Sequence, residues 1–353
     1  MKIKLLVIDD SAFMRTAVRL MLKDDPDIEI VGEARDGLTA VNMLETLNPD
    51  VITMDVEMPG MDGLTATRII MERFPRPIIM LSSMTGHGTE TTIKALEAGA
   101  VDFISKKSSF VQLDIVQIGK DLHEKIRYWG ERRLRVSTAK RAQHCSWPVK
   151  ALPAYPGGFR PELVVIGVST GGPAIIPNLL HAMGHLTCPV VIAQHMPLLF
   201  TEGFARHLKM FTGLNVLQAS DGMALKPGMV AVCPGGSDTT LRESLPGHLV
   251  SCVKSDPATQ IHPSVDKLFR SAARLDRKVV AIVMTGMGSD GTIGARALSE
   301  RGCPVLAQEP GECTVDGMPS SAIESGVVNE VLNVAKLGHR LRKWAGVRDK
   351  ERI

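Results

Sequence analysis

Short, nearly continuous apolar runs recur along the first hundred residues, and each is followed by a window with helical spacing. The run Ile3–Ile8 predicts a buried strand. Further runs at Ile28–Val31, Val51–Met54, Ile78–Leu81 and Val101–Ile104 predict four more. Phe13, Val18, Leu20, Met21 and Leu22 predict a helix between the first two strands, and Thr39–Leu47, Leu64–Arg73 and Thr89–Ala98 predict the next three. Strands buried on both faces and alternating with helices predict a parallel sheet covered on both sides, a flavodoxin-like (βα)5 unit over residues 1–118. A second alternation begins at Leu163, with strands expected at Leu163–Ile166, Val190–Ala193, Val279–Met284 and Val305–Ala307. Helices are expected after Pro173, around Val265–Arg274 and after Thr292. Residues 215–255 carry short β-like runs broken by Gly and Pro, which predict a β-hairpin excursion from a second doubly wound, mainly parallel α/β domain.

The 353 residues therefore divide into two α/β domains, at 1–118 and 161–345, with a linker at 119–160 and a tail at 346–353. Charge sharpens that division. The total is only +3, but residues 119–160 hold ten Lys/Arg against three Asp/Glu, whereas residues 1–118 carry a net −6. A last helix of the first domain is expected to fade into this basic stretch, which is ordinarily a solvated connector, with a docking site for an acidic partner as the alternative. Residues 161–353 hold 19 Lys/Arg and 17 Asp/Glu, and aromatics are 4% of the chain, so neither a basic nucleic-acid face nor a base-stacking surface is expected. The six cysteines, at 145, 188, 233, 252, 303 and 313, form no Cys-x-x-Cys pair. No apolar run approaches the ~18 residues of a membrane span, and Ile8 leads straight into Asp9 and Asp10. These features predict a reduced cytoplasmic protein without membrane insertion.

Candidate chemistry gathers at the strand ends, where open parallel sheets place their ligands. Asp9 and Asp10 end the first predicted strand, Asp55 the third, Ser82 the fourth and Lys106 the fifth. An aspartate at a strand end ordinarily caps a helix. Five such positions converging on one rim call for another account. Three clustered carboxylates suit a hard cation such as Mg²⁺, and Lys106 is a point charge for a phosphoryl oxygen. Asp55 is then a phosphoryl acceptor, and the Ser82 hydroxyl a donor to the phosphoryl group. These residues resemble the two-component receiver domain. The resemblance implies Asp55 as the phosphorylation site, Asp9 and Asp10 (with Asp55) as Mg²⁺ ligands, and Ser82, Phe103 and Lys106 as switch positions. Receivers usually carry Pro after this lysine; Lys107 stands here, so a trans bond is expected.

In the second domain, Gly167-Val168-Ser169-Thr170-Gly171-Gly172-Pro173 follows a predicted strand and precedes a helix. The spacing presents a serine at a tight turn, although such turns also bind phosphate. His195 ends the next predicted strand, and Asp290 lies in the Gly-rich turn Met284–Gly291 after another. A serine needs a base, and the base needs an orienting group. Ser169, His195 and Asp290 supply all three, with His262 a competing histidine. The segments Ile166–Pro173, Ala193–Pro197, His262–Ala273 and Met284–Gly291 resemble the chemotaxis protein-glutamate methylesterase family (CheB), which carries a receiver in front. His262 stands where that family often has Arg before the Pro.

The resemblance implies hydrolysis of glutamate methyl esters on chemoreceptors, and deamidation of specific glutamines, through an acyl-enzyme on Ser169. Control comes from Asp55 phosphorylation by a chemotaxis-type histidine kinase. Backbone N–H groups near Thr170–Gly172 or Met287 are the oxyanion candidates. No cofactor is expected for hydrolysis, and Mg²⁺ is expected for phosphorylation. The alternative from another class is a response regulator with a non-enzymatic binding output. Its DNA-binding form requires a helix-turn-helix, which the α/β pattern of residues 161–345 does not suggest.

Overall fold

In the computed structural model, residues 2–83, 86–106, 112–138, 159–185, 187–244, 247–254 and 262–345 are described. Two compact units are present, Met1–Cys145 and Ser146–Ile353. Residues 139–158 of the expected connector lie outside the described residues, as do Lys107 with its peptide bond and the tail 346–353.

The first unit runs β1 (Ile3–Ile8), α1 (Ala12–Leu22), β2 (Ile28–Ala34), α2 (Gly37–Leu47), β3 (Val51–Asp55), α3 (Gly63–Arg73), β4 (Ile78–Ser83), α4 (Gly86–Glu97), β5 (Asp102–Lys106) and α5 (Gln112–Thr138). The strands pair in parallel in the order β2-β1-β3-β4-β5, a flavodoxin-like sheet. Crossing from β1 to β3 reverses the winding, so a crevice opens above these two strands. Leu6, Ile8, Ile52, Met54, Ile78 and Met80 form a dry core with Ala40, Leu44, Ala66 and Ile70 of α2 and α3. Gly63 permits the return from β3 into α3, because a Cβ there would stand 2.0 Å from the Asp55 carbonyl oxygen.

The expected domain end at residue 118 falls inside α5. Leu122, Ile126 and Trp129 are buried on one face of this helix. Gly130 comes so close to β1 that a Cβ would meet the Ile3 side chain at 2.4 Å. Arg127 and His123 of α5 clamp the buried Asp25 carboxylate, with N···O distances of 2.8–3.0 Å. Of the basic residues of this segment with described side chains, Lys120 and Arg127 are exposed on the helix.

The second unit runs β6 (Leu163–Val168), α6 (Gly172–Met183), β7 (Val190–Gln194), α7 (Leu198–Thr212), β8 (Asn215–Gln218), β9 (Met223–Leu225), β10 (Met229–Val232), β11 (Ser237–Ser244), β12 (Gly247–Lys254), α8 (Val265–Ala272), β13 (Val279–Val283), α9 (Thr292–Glu300), β14 (Val305–Gln308), α10 (Gly317–Glu324), β15 (Glu330–Leu332) and α11 (Val334–Trp344). The main sheet has the order β15-β14-β13-β6-β7-β10-β8, and all its pairings are parallel. The winding reverses at β6, which makes the ends of β13, β6 and β7 the binding crevice. The expected excursion is smaller than the apolar runs suggested. Only β9, β11 and β12 form a separate antiparallel sheet, whereas β8 and β10 join the main one. Met229–Val232 is buried throughout, as a strand between two others must be.

Helix α8 packs Val265, Leu268, Phe269 and Ala272 into the core beneath β6, β7 and β13. Its first N–H groups, from Val265 and Asp266, meet the Asp290 carboxylate of the loop after β13. Among the described residues, Cys188, Cys233, Cys303 and Cys313 are free thiols, and no helix is long and apolar enough to cross a membrane.

Candidate active site

Two constellations are built at the two crevices, and each is assembled from strand ends. In the first unit, Asp9 follows β1 and is fully buried, Asp55 ends β3, and Lys106 ends β5. The Lys106 Nζ lies 2.8 Å from Asp9 Oδ2 and 2.8 Å from Asp55 Oδ1. Asp9, Asp10 and Asp55 each place an oxygen within 4.8 Å of the others. Burial pushes the Asp55 carboxyl up to about 6; the Lys106 charge and hydrogen bond oppose this, and Asp9 and Asp10 add to it. Ser82 is buried at the end of β4, and its Oγ accepts a hydrogen bond from Thr92 Oγ1 at 2.6 Å. Phe103 packs against the core of the same unit. All six positions expected from the sequence thus lie on β1, β3, β4 and β5 or directly after them. Thr92, one helix away, had no sequence signal of its own.

In the second unit, Ser169 follows β6 and is 9% exposed. Its N–H donates to the Thr285 carbonyl at 2.9 Å, and its carbonyl accepts from Gly172 N at 2.9 Å, closing the turn into α6. Gly171 has φ +84°, and a Cβ there would stand 2.4 Å from Thr314 Oγ1, so only glycine makes this turn without strain. The register places Val168 opposite Gln194, which brings Ser169 and His195 to the same rim on neighbouring strands. The Gln194 side chain fixes both: its Nε2 donates to the Ser169 carbonyl at 2.8 Å and to the His195 carbonyl at 3.1 Å. On the other side of β6, the loop after β13 passes Thr285, Gly286 and Met287 to reach Asp290. Gly286 lies against the serine, since a Cβ there would be 2.7 Å from Ser169 Cβ.

His195 Nε2 lies 2.9 Å from Asp290 Oδ2. Asp290 also accepts from Val265 N at 2.7 Å on Oδ2, and from Asp266 N at 2.9 Å and Ser264 Oγ at 3.3 Å on Oδ1. Burial disfavours this carboxylate, but the His195 ring and the N–H groups of Asp266 and Val265 outweigh it and hold the pKa below the usual range. With Nε2 committed to Asp290, the ring's Nδ1 is its remaining proton acceptor. Among the described residues no hydrogen bond joins the Ser169 hydroxyl to this ring; such contacts often tighten only around substrate. Thr170 and Met287, the expected oxyanion donors, sit on the two loops that flank Ser169.

His262 is not part of this group. Its Nδ1 lies 2.9 Å from Asp238 Oδ1, and Asp238, 1% exposed, also takes Lys267 Nζ at 2.6 Å and Ser264 N at 2.8 Å. The N-terminus of α8, with Ser264, Val265 and Asp266, was missed from the sequence as a part of the site.

An acidic, lysine-pinned pocket on one parallel sheet, followed by serine, histidine and aspartate on adjacent strand ends of another, defines a class: a response regulator whose output domain has the build of a hydrolase. The CheB methylesterase family model matches residues 164–341, and the response regulator receiver domain model matches residues 5–116. The chain belongs to the CheB methylesterase family. It is 40% identical to a protein-glutamate methylesterase/protein-glutamine glutaminase of Oleidesulfovibrio alaskensis, over 94% of this chain and 96% of that one. A protein of the same description from Halalkalibacterium halodurans is also 40% identical, over 94% and 95%. The CheB methylesterase catalytic domain of Thermotoga maritima is 34% identical, with a TM-score of 0.48, and covers 51% of this chain and 97% of that one.

Proposed function

We propose that this chain is a protein-glutamate methylesterase and protein-glutamine glutaminase, and that phosphorylation of Asp55 controls its hydrolysis of methylated chemoreceptors. The observation that carries the catalytic half is the His195–Asp290 contact at 2.9 Å beside the strand end that bears Ser169. Ser169 Oγ attacks the ester carbonyl while His195 Nδ1 takes its proton. Asp290, bonded to Nε2, fixes the tautomer and stabilises the imidazolium. The oxyanion accepts hydrogen bonds from backbone N–H groups of the flanking loops, at Thr170 and Met287. Collapse returns the proton from Nδ1 to the leaving oxygen, so methanol departs and an acyl-enzyme remains on Ser169. Water, deprotonated by the same nitrogen, then restores the serine and leaves a glutamate. A glutamine amide follows the same course and releases ammonia.

The oxygen donors of Asp9, Asp10 and Asp55 fit a divalent cation of the Mg²⁺ type, the hard-ligand set such an ion requires. Bound there, it would offset the charge of carboxylate and phosphodonor. Lys106 holds a phosphoryl oxygen, and Ser82, whose oxygen accepts from Thr92, donates its own hydroxyl to the new group. A chemotaxis-type histidine kinase is the phosphodonor, and the cytoplasm is the compartment.

The test is methanol release from methyl-labelled receptor membranes, with and without a phosphodonor. Ser169→Ala is expected to release none while still incorporating phosphate at Asp55, and Asp55→Asn to lose the stimulation by phosphodonor. Release by Ser169→Ala at the wild-type rate overturns the nucleophile, and equal rates with and without phosphodonor overturn the control.

A further inference from the structure

Asp290 and Asp266 stand at the starts of two helices, and each caps the helix that the other begins. The Asp290 carboxylate accepts the first N–H groups of α8, from Val265 and Asp266. In return Asp266 Oδ1 accepts the first N–H groups around the start of α9, from Gly291 at 3.0 Å and Gly294 at 2.7 Å. Helix N-termini present unsatisfied N–H groups and a partial positive charge, so each carboxylate is well placed on both counts. The two helices meet with no slack. A Cβ on Gly294 would come within 2.5 Å of Phe269 Cβ, and one on Gly291, which has φ +98°, within 2.8 Å of Val265.

Gly291 directly follows Asp290. The bond from Gly291 N to Asp266 therefore fixes the backbone one residue from the carboxylate that meets His195. We propose that Asp266 is a positioning residue for the hydrolysis: it holds Asp290 at hydrogen-bond distance from His195, and its carboxylate does not touch the substrate. This rests on the reading of Ser169, His195 and Asp290 as the reacting set. Near-attack geometry is steep in distance, and a misplacement of about 1 Å costs up to roughly 100-fold in rate.

The charged groups around the pair are His195 from the end of β7, and, past Ser264, Asp238 with its partners His262 and Lys267. Among the described residues, Asp266 is the one further carboxylate that bonds the Asp290 loop, and burial with the adjacent Asp290 charge holds its carboxyl above the usual range.

The experiment uses the full chain with phosphodonor and compares Asp266→Ala with Asp266→Asn, in which an amide oxygen still accepts both N–H groups. Asp266→Ala is expected to lower kcat roughly 10- to 100-fold with little change in KM. Asp266→Asn is expected to recover most of the rate. A purely structural role would lower Tm in both variants and leave Asp266→Asn as slow as Asp266→Ala. Wild-type kcat in Asp266→Ala, or an Asp266→Asn as slow as Asp266→Ala, overturns the positioning role, provided Ser169→Ala in the same assay is inactive. Activity in Ser169→Ala instead overturns the reading beneath it.

Discussion

Asp290→Asn removes one charge while leaving shape nearly unchanged, so it isolates what the carboxylate does. Each Asp290 oxygen receives two donors, Val265 N and the His195 ring on Oδ2, Asp266 N and the Ser264 hydroxyl on Oδ1. An amide cannot serve both sides. If its NH₂ faces Val265, His195 Nε2 must accept, the ring proton moves to Nδ1, and the base is lost. If its NH₂ faces Asp266, the Ser264 hydroxyl can turn to accept, and the tautomer survives. The second arrangement is cheaper, and it leaves one buried N–H at the start of α8 unpaired, at about 1–3 kcal/mol. For a unit of this size that lowers Tm by roughly 2–12 °C.

The rate effect is separate. With Nε2 and Oδ2 2.9 Å apart, the charge centres of imidazolium and carboxylate are about 4 Å apart. At an effective dielectric of about 20, their attraction is about 4 kcal/mol. Loss of that attraction in the transition state slows the reaction by about a thousandfold. The assay is single-turnover methanol release at saturating receptor, alongside a melting curve of the same preparation. A rate within tenfold of wild type, with the expected fall in Tm, would refute the assignment of the charge to His195 and leave Asp290 as a helix cap alone.

Other outcomes follow from the same geometry. Gly63→Ala drives a Cβ to 2.0 Å from the Asp55 carbonyl oxygen, and backbone cannot yield as a side chain can. Overpacking of this kind costs about 1–3 kcal/mol or more, so phosphate incorporation and the melting temperature of the first unit should fall together; unchanged labelling would contradict the geometry. Asp25 is held at about 2, where Arg127, the Asp27 N–H and His123 overcome the effect of burial. Its contribution is therefore present above the unfolded value near 4 and is lost as pH falls from about 4 to 2. Solvent screening limits it to below about 2 kcal/mol, and acid titration of Asp25→Asn should lack that phase. Removing divalent cations with a chelator should abolish phosphate incorporation at Asp55 and leave the basal methanol release of the unphosphorylated chain intact; a parallel loss of both would place the cation elsewhere.

The parallel strands were legible because strands buried on both faces read as unbroken apolar runs, and the site followed because such sheets put chemistry at strand ends. Ser169 and His195 stand directly after β6 and β7, and Asp290 lies in the loop that follows β13. What stayed hidden has a common cause. The last helix of the first domain was legible, but its length was not: Leu122, Ile126 and Trp129 carry its buried stripe past residue 118, among basic residues that resemble a connector. The runs at Asn215–Gln218 and Met229–Val232 are short enough for a hairpin, and only their neighbours assign them to the main sheet.

Asp266 shows the limit most sharply. Ser264-Val265-Asp266 reads locally as the start of a helix, with Ser264 as its N-cap, and so it is. That the Asp266 side chain caps a different helix, 25 residues on at Gly291, depends on two N-termini meeting nearly in contact. The signal available was the pair of glycines at 291 and 294, whose missing side chains record the approach. A carboxylate three residues after a Pro and glycines spaced by three just past a candidate catalytic aspartate are together a tertiary contact written in sequence, although either alone is only a turn.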